Sequence, residues 1–459
     1  MSLSIRGYGI QKNEMDENTL IDLRNELTVD IDEDSALEKY VDSRRVNNRR
    51  VHMYLESDKK IYLPRAFGLT RFGHPDARDD LGLDSNLIFN GQLHPHQDAA
   101  VEAFMKQYEK LGIISIPCGG GKTVIALKIV SLVGKKTLIV LNKDFLIAQW
   151  RERISQFLPH ASVGIIKANR VDIAGKDIVL ASLQSLASKE YSSDFREFGM
   201  MVIDEVHRTG THVFSRALKK LSTNVMLGLS ATVDRKDGME MIFKNYIGDV
   251  VYEIKARSAM EEKSDTSVDP EVKLIYFEDN TSEEYSRIEM ISFDKVNHSK
   301  MINNVTNNVK RTQLAVSIIV KSVSEGRKCL VLCDRKTTLH SMSDSLTLQN
   351  VSSGLYVGGM KEKDLETSAA KDVVLATFAF ASEGFDVQGI DTLLLLSPKT
   401  DVRQAVGRIL RERPCDRIRA PRIFDIVDNF SVFAGQARKR CSYYRSQAFK
   451  IDKYNNSFL

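Results

Sequence analysis

No stretch of the 459 residues approaches the ~20 consecutive apolar positions needed to span a bilayer. The amino terminus, MSLSIRGYGIQKNEMDE, lacks the apolar core of a signal peptide. Membrane insertion and secretion are therefore not expected, and a soluble intracellular protein is. Cysteine is scarce and odd in number, at Cys118, Cys329, Cys333, Cys415 and Cys441. Only Cys329 and Cys333 are close, and no second Cys/His pair stands at zinc-site spacing, so the five read as buried thiols in a reducing compartment. A dominant charge sign is missing too. With 65 basic and 61 acidic residues the net charge is +4, which neither demands nor excludes nucleic acid. No short-period repeat or low-complexity tract is present, which excludes a solenoid.

The composition that remains, 42% hydrophobic and 27% charged, is that of a soluble globular chain. The length sets a prior of about two to four domains. Charge is uneven along the chain: residues 403–450 hold twelve Lys/Arg against four Asp/Glu. Residues 1–90 read as a small α+β accessory domain, with strand-like runs Val51–Leu55 and Lys60–Leu63 and a basic cluster of Arg44, Arg45, Arg49 and Arg50. This domain is a candidate for nucleic-acid or partner contact.

From residue 91 short apolar runs alternate with amphipathic stretches. The runs are Gly112–Ile116, Thr137–Leu141, Asp177–Ala181, Gly199–Ile203 and Val225–Leu229, and the stretches include Lys143–Phe157 and Val213–Leu221. Buried strands alternating with helices predict βαβ units and a parallel sheet over 91–255. Residues 256–280 read as a polar linker. A second series follows over 281–459, with strands predicted at Lys328–Cys333, Ser353–Val357, Asp372–Ala376, Thr392–Leu396 and Arg422–Val427. The fold class is thus α/β, with two parallel-sheet domains in tandem after a small α+β domain.

Two motifs carry chemistry. Ile116-Pro-Cys-Gly-Gly-Gly-Lys-Thr123 follows an apolar strand and opens a helix, the context of a phosphate-binding loop. Its glycines let backbone N–H groups face one point, where the helix N-terminus adds partial positive charge. Lys122 would reach the β- and γ-phosphates and Thr123 would hold Mg²⁺. In Met201-Val-Ile-Asp-Glu-Val-His207 an apolar strand ends in paired carboxylates. Asp204 is placed to bind Mg²⁺ through water, and Glu205 to polarise an attacking water. The bland alternatives are a Gly-rich turn and an acidic strand-to-loop turn.

The phosphate loop, DEVH, and Ser230-Ala231-Thr232 at a strand end resemble motifs I, II and III of superfamily 2 helicases. Leu93-His-Pro-His-Gln97 resembles the element that reads adenine, with His94 at a position more usually Arg. Leu138–Trp150 resembles motif Ia, Ser182–Leu186 motif Ic, Leu330–Arg335 motif IV, Thr377–Asp386 motif V, and Gln404–Arg411 motif VI. Finer features are similar to XPB-like helicases (Asp234–Gly238, with Lys236 replacing Glu), to phage UvsW-type helicases, and to large-DNA-virus helicases related to the poxvirus transcript-release factor.

The resemblance implies two RecA-like domains that bind ATP and Mg²⁺. ATP contacts would run through Gln97, Cys118, Gly119, Gly120, Gly121, Lys122, Thr123, Asp204, Glu205, Gly384, Asp386, Arg408 and Arg411. Hydrolysis would rest on Lys122, Glu205, Gln404, Arg408 and Arg411. The two arginines, three apart on a helix, would act as arginine fingers, worth about 10³–10⁵ in rate in other NTPases. His207, Ser230 and Thr232 would couple hydrolysis to movement. Asn142, Lys143, Ser182, Gln184, Arg335 and Thr377 would contact nucleic acid: single-stranded, forked or branched DNA, or an RNA–DNA hybrid. The expected activity is 3′→5′ helicase or translocase action coupled to strand separation, branch migration or transcript release, beside transcription or replication machinery. A viral member of the group would work at a cytoplasmic replication site in the host, or in the virion.

Other readings stay open. A nucleic-acid clamp with little ATPase turnover is kept alive by Ile116, where the strict pattern has Gly or Ala, and by His94 and Lys236. A small-molecule kinase would have no use for Arg408 and Arg411. Arg438-Lys-Arg440 with Tyr443, Tyr444 and Arg445 reads either as a base-stacking surface or as a C-terminal helix packing its tyrosines inward. Thr281–Lys310 is read as a helical insertion between the linker and the second sheet.

Overall fold

The computed structural model describes residues 1–30, 50–117, 120–143, 145–189, 193–206, 211–231, 240–254, 270–292, 295–379, 387–410, 417 and 419–455. They form two compact units, Met1–Lys255 and Ala256–Leu459.

The first unit opens with β1 (Ser2–Ser4), β2 (Gly7–Gln11), α1 (Glu17–Glu26), β3 (Thr28–Asp30) paired with β4 (Arg50–His52), β5 (Leu55–Glu56), β6 (Lys60–Leu63), α2 (Arg65–Phe72) and β7 (Ala77–Arg78). Asp16 starts α1 by accepting from the Thr19 N–H, a side-chain cap for an otherwise unpaired donor. Strands in the order β5-β6-β2-β1-β7 make a small sheet. Its inward residues Leu3, Tyr8, Ile10, Ile61 and Leu63 lie in one core with Leu138, Val140, Met201 and Ile203 of the larger sheet. The N-terminal segment therefore buries its apolar face on the first α/β layer rather than around a core of its own.

That layer comprises α3 (Pro95–Met105), β8 (Leu111–Ser115), α4 (Lys122–Val133), β9 (Thr137–Leu141), α5 (Phe145–Phe157), β10 (Val163–Lys167), β11 (Arg170–Asp172), β12 (Ile178–Ser182), α6 (Leu183–Ser188), β13 (Met200–Ile203), α7 (Thr211–Leu218), β14 (Val225–Ser230), α8 (Glu240–Ile247) and β15 (Val250–Glu253). The order is β11-β10-β12-β9-β13-β14-β8-β15. Every neighbouring pair is parallel except β10 and β11. In β9, Leu138 and Val140 enter one core while Ile139 and Leu141 enter the other. Successive side chains point to opposite faces, so a strand covered on both sides must be apolar throughout.

The second unit holds β16 (Glu271–Phe277), α9 (Glu283–Ser286), β17 (Met290–Ser292), β18 (Lys295–Val296), α10 (His298–Thr306), α11 (Val309–Ser324), β19 (Cys329–Leu332), α12 (Lys336–Leu348), β20 (Ser353–Tyr356), α13 (Glu362–Ala369), β21 (Val373–Ala376), β22 (Thr392–Leu395), α14 (Arg403–Ile409), β23 (Arg422–Asp428), α15 (Ser431–Ser446) and β24 (Lys450–Tyr454). Seven strands in the order β20-β21-β19-β22-β23-β16-β24 are all parallel. The residues expected to be linker over 256–280 end in a strand: β16 pairs with β23 from Glu271 to Phe277. Its alternation, with Val272 and Leu274 buried and Glu271 and Lys273 part-exposed, hid it among polar neighbours. The 281–310 segment is a short helix, a two-stranded ribbon and α10, not an all-helical insertion.

α15 carries the C-terminal basic and aromatic cluster. Arg440 and Tyr444 are buried, and both hydrogen-bond Asp425 on β23. They belong to the core of the unit, so the base-stacking reading fails for these two residues. Among the described residues no helix is long and apolar enough to cross a membrane.

Candidate functional site

The motifs of the first unit gather at the C-terminal ends of its parallel strands. β8 leads into the phosphate loop, β13 runs into Asp204, β14 ends at Ser230, β9 runs into Asn142 and β12 ends at Ser182. Open α/β sheets place ligands at this edge. Backbone bonds hold the ends in register, Ile116 N–H to the Ser230 carbonyl (3.0 Å) and Asp204 N–H to the Val140 carbonyl (3.1 Å).

Local packing demands glycine in the loop. Gly121 has φ +83°, and a Cβ there would stand 2.1 Å from Gln97 Nε2. A Cβ on Gly120 would stand 2.3 Å from Ile116 Cγ2. Ile116, the departure from the strict pattern, turns its side chain into the core and packs against Gly120. Its carbonyl accepts from Lys122 Nζ at 3.0 Å. The ammonium thus lies within the loop, 3.8 Å from Glu205 Oε1.

Gln97 is buried at the start of α3. Its Oε1 accepts from the His94 N–H at 3.0 Å, and its Nε2 faces the Gly120 carbonyl at 3.4 Å. His96 Nε2 is 3.2 Å from the same carbonyl. Residues expected to read a base therefore brace the phosphate loop in this structure.

Asp204 is 7% exposed. Its Oδ1 accepts the Glu205 N–H at 2.9 Å and its Oδ2 accepts the Trp150 indole N–H at 2.9 Å. Burial, and then the Glu205 charge, push its carboxyl up to about 6, against the opposing pull of Trp150 and Lys122. Glu205 has φ +50°, an unusual conformation for a side chain of this size and of the kind that collects at functional sites. Sequence reasoning did not assign the roles of Trp150 and His96. The usable signal for Trp150 was chemical: a buried indole N–H needs an acceptor.

The donor set fits a nucleotide phosphate chain and a divalent cation. A lysine and a glycine-lined turn stand beside two carboxylates. Lys122, Gly120 and Gly121 would hold the phosphates, and Thr123 with Asp204 would hold the metal.

Of the residues proposed for nucleic acid, the structure joins three. Gln184 Nε2 donates to the Asn142 carbonyl at 3.1 Å, and Ser182 Oγ donates to Gln184 Oε1 at 3.0 Å. Lys143 beside them is exposed. In the second unit Arg335 is spent on α10, with Nη2 bonded to Ser299 and Nε to Asn303. Thr377 is half-buried just past β21. On α14, Gln404 and Arg408 share one half-exposed face while Ala405, Val406 and Ile409 are buried. That helix ends at Ile409, and Arg411 lies outside the described residues, as do Cys118, Gly119, His207, Thr232, Asp234–Gly238, Gly384, Asp386 and Arg44–Arg49.

Residues 90–235 match the family model described as "Type III restriction enzyme, res subunit". A protein of Acanthamoeba polyphaga mimivirus, provisionally named an ATP-dependent RNA helicase, is 32% identical over 98% of this chain and 86% of its own. The "DNA 3'-5' translocase XPB2" of Sulfurisphaera tokodaii is 34% identical over 37% of each chain. The solved structure of T4 UvsW aligns with 96% of each chain at 17% identity and a TM-score of 0.37.

Proposed function

This chain belongs to the superfamily 2 helicases, and on that premise we propose that it is an ATP-driven nucleic-acid translocase moving 3′→5′. The observation that carries the reading is the Lys122–Glu205–Asp204 grouping, with a phosphate-binding lysine 3.8 Å from the carboxylate that would orient water. Lys122 binds the phosphates of ATP. Glu205 orients the attacking water and takes its proton. Thr123 and Asp204 hold Mg²⁺, which neutralises phosphate charge when bound. Gln404, Arg408 and Arg411 contribute to hydrolysis from the second unit. Polarity comes from the name of the archaeal relative.

Asn142, Lys143, Ser182 and Gln184 grip the backbone of the strand, contacts that position it without reading sequence. Arg335 is the weaker candidate, because its guanidinium already serves α10. DNA is the preferred track and an RNA–DNA hybrid the second reading; the mimivirus relative's name speaks of RNA. Viral origin rests on the same relative, and action at a cytoplasmic replication site in the host is the location proposed for such a protein.

Steady-state ATP hydrolysis with no polynucleotide, single-stranded DNA, duplex DNA and RNA is the test. Turnover should rise with polynucleotide, and Glu205→Gln should reduce it by about 10²–10⁴-fold. Binding without turnover on any polynucleotide would sink the motor reading and favour a clamp.

A further inference from the structure

Arg65 is 1% exposed, yet its Nε and Nη1 have no hydrogen-bond partner among the described residues. Only Nη2 is engaged, donating to Asn224 Oδ1 at 3.2 Å. A buried guanidinium with two of its three nitrogens unpartnered costs more than one hydrogen bond returns, so the missing partners require an explanation. The carboxylate that acts on it, Glu109, is committed to Arg78 at 2.6 Å and His74 at 2.8 Å. Burial first and Arg78 second push Arg65 down to about 10, the behaviour of a cation short of countercharge.

Arg65 lines a cavity of about 10 Å³ where the N-terminal sheet meets the first α/β layer. That volume admits one water-sized centre. Arg6, which is exposed, and Lys219, which is half-buried, also line it, and among the described residues no Asp or Glu does. Lys219 is itself lowered, by burial and then by Arg216 and Lys220. The start of α2 forms one wall through Leu63, Pro64 and Arg65. Pro64 at the cap gives no side-chain acceptor, so the first-turn N–H groups of this eight-residue helix add partial positive charge. A neutral water could accept from the guanidinium but would leave the charge uncompensated.

We propose that Arg65, Lys219, Arg6 and the start of α2 form a phosphate-binding seat that receives one phosphate oxygen at the buried guanidinium. A guanidinium offers its donors in the fork that suits phosphate oxygens. The rest of the phosphate group stays at the surface beside Arg6 and Lys219. The source is either inorganic phosphate or a phosphodiester of bound nucleic acid. The seat itself does not depend on the helicase reading; only the second source does.

The test is thermal denaturation of the full chain in gluconate, exchanged stepwise for phosphate at constant ionic strength. A Lys122→Ala background silences the phosphate loop. Phosphate should raise the melting temperature of Lys122→Ala by about 2–4 °C more than that of the Arg65→Met, Lys122→Ala double variant. Equal rises in the two proteins overturn the seat. If Arg65→Met does not fold, Arg65→Lys and Lys219→Met carry the test, each with a reduced phosphate shift expected, and unchanged shifts in both overturn it. Fluorescence anisotropy with a labelled single strand then assigns the source. A salt slope lower by about 1 in Arg65→Met identifies a phosphodiester, and an unchanged slope identifies the inorganic ion.

Discussion

Asp204 ends a strand inside the protein, held by an indole and by the next backbone amide. Its folded-state pKa, raised to about 6, lies above the ordinary Asp value near 4. The folded chain therefore binds this proton more readily than the unfolded chain, and without metal its stability falls as pH rises from about 4 to 6. The loss is on the order of 3 kcal/mol above that window. Asp204→Asn keeps an acceptor for Trp150 and removes the charge. In thermal melts without metal at neutral pH it should melt about 5 °C above wild type, and the gap should close as pH falls toward 4. ATP hydrolysis should be lost. A lower melting temperature for Asp204→Asn at neutral pH would contradict this account. The acidic pair was legible because an apolar run ending in Asp-Glu has few other uses. Trp150 as its partner was not, since only the fold brings the two together. Ile116 departs from the motif in letters, yet its side chain goes to the core and against Gly120 while its carbonyl faces the loop lysine.

Among elements, most of the strands buried on both faces were readable. β9, β13 and β14, and β19, β21 and β22 in the second sheet, are continuous apolar runs because neither face meets water. Edge position alone did not decide it: β20, part-exposed throughout, is read from its run, while the interior β10 is missed along with three edge strands. β15 and β24 close their sheets, and β11 pairs antiparallel at the far edge of the first. β16 alternates, and α15 conceals buried polar residues behind a basic surface pattern. The Arg440–Asp425 pair shows what that pattern hid. Both partners are buried, and Arg440 is held strongly protonated by Asp425 despite its burial. Arg440→Met would strip Asp425 of its guanidinium, leaving it the Tyr444 hydroxyl, and would take the donor from the Lys399 carbonyl. The expected cost is about 3–5 kcal/mol, measured by chemical denaturation. Lys439→Met, one position away and exposed, should change stability by less than about 0.5 kcal/mol. Similar losses in both would mean that the pair does not anchor the helix.

At the scale of the whole molecule, each unit encloses its sheet between two cores of its own. Unfolding should not be two-state. Calorimetry should resolve two transitions, and Arg440→Met should lower one while leaving the other in place. A single transition displaced as a whole would show that the units melt together. Residues of the N-terminal sheet share a core with the first layer and should melt with it. The parallel architecture of both units was legible from the alternating runs, whereas the sharing of that core was not, because Leu3, Tyr8 and Ile10 carry no mark of the surface they cover. One contact gives the intact molecule its own optical probe. Trp150 is the chain's single tryptophan, and its indole N–H rests on the carboxylate of Asp204. Tryptophan emission from the unlabelled protein therefore comes from one place, beside the charge that a metal or a proton would neutralise. Its intensity should follow Mg²⁺ and ATP through each turnover, and stay flat in Asp204→Asn.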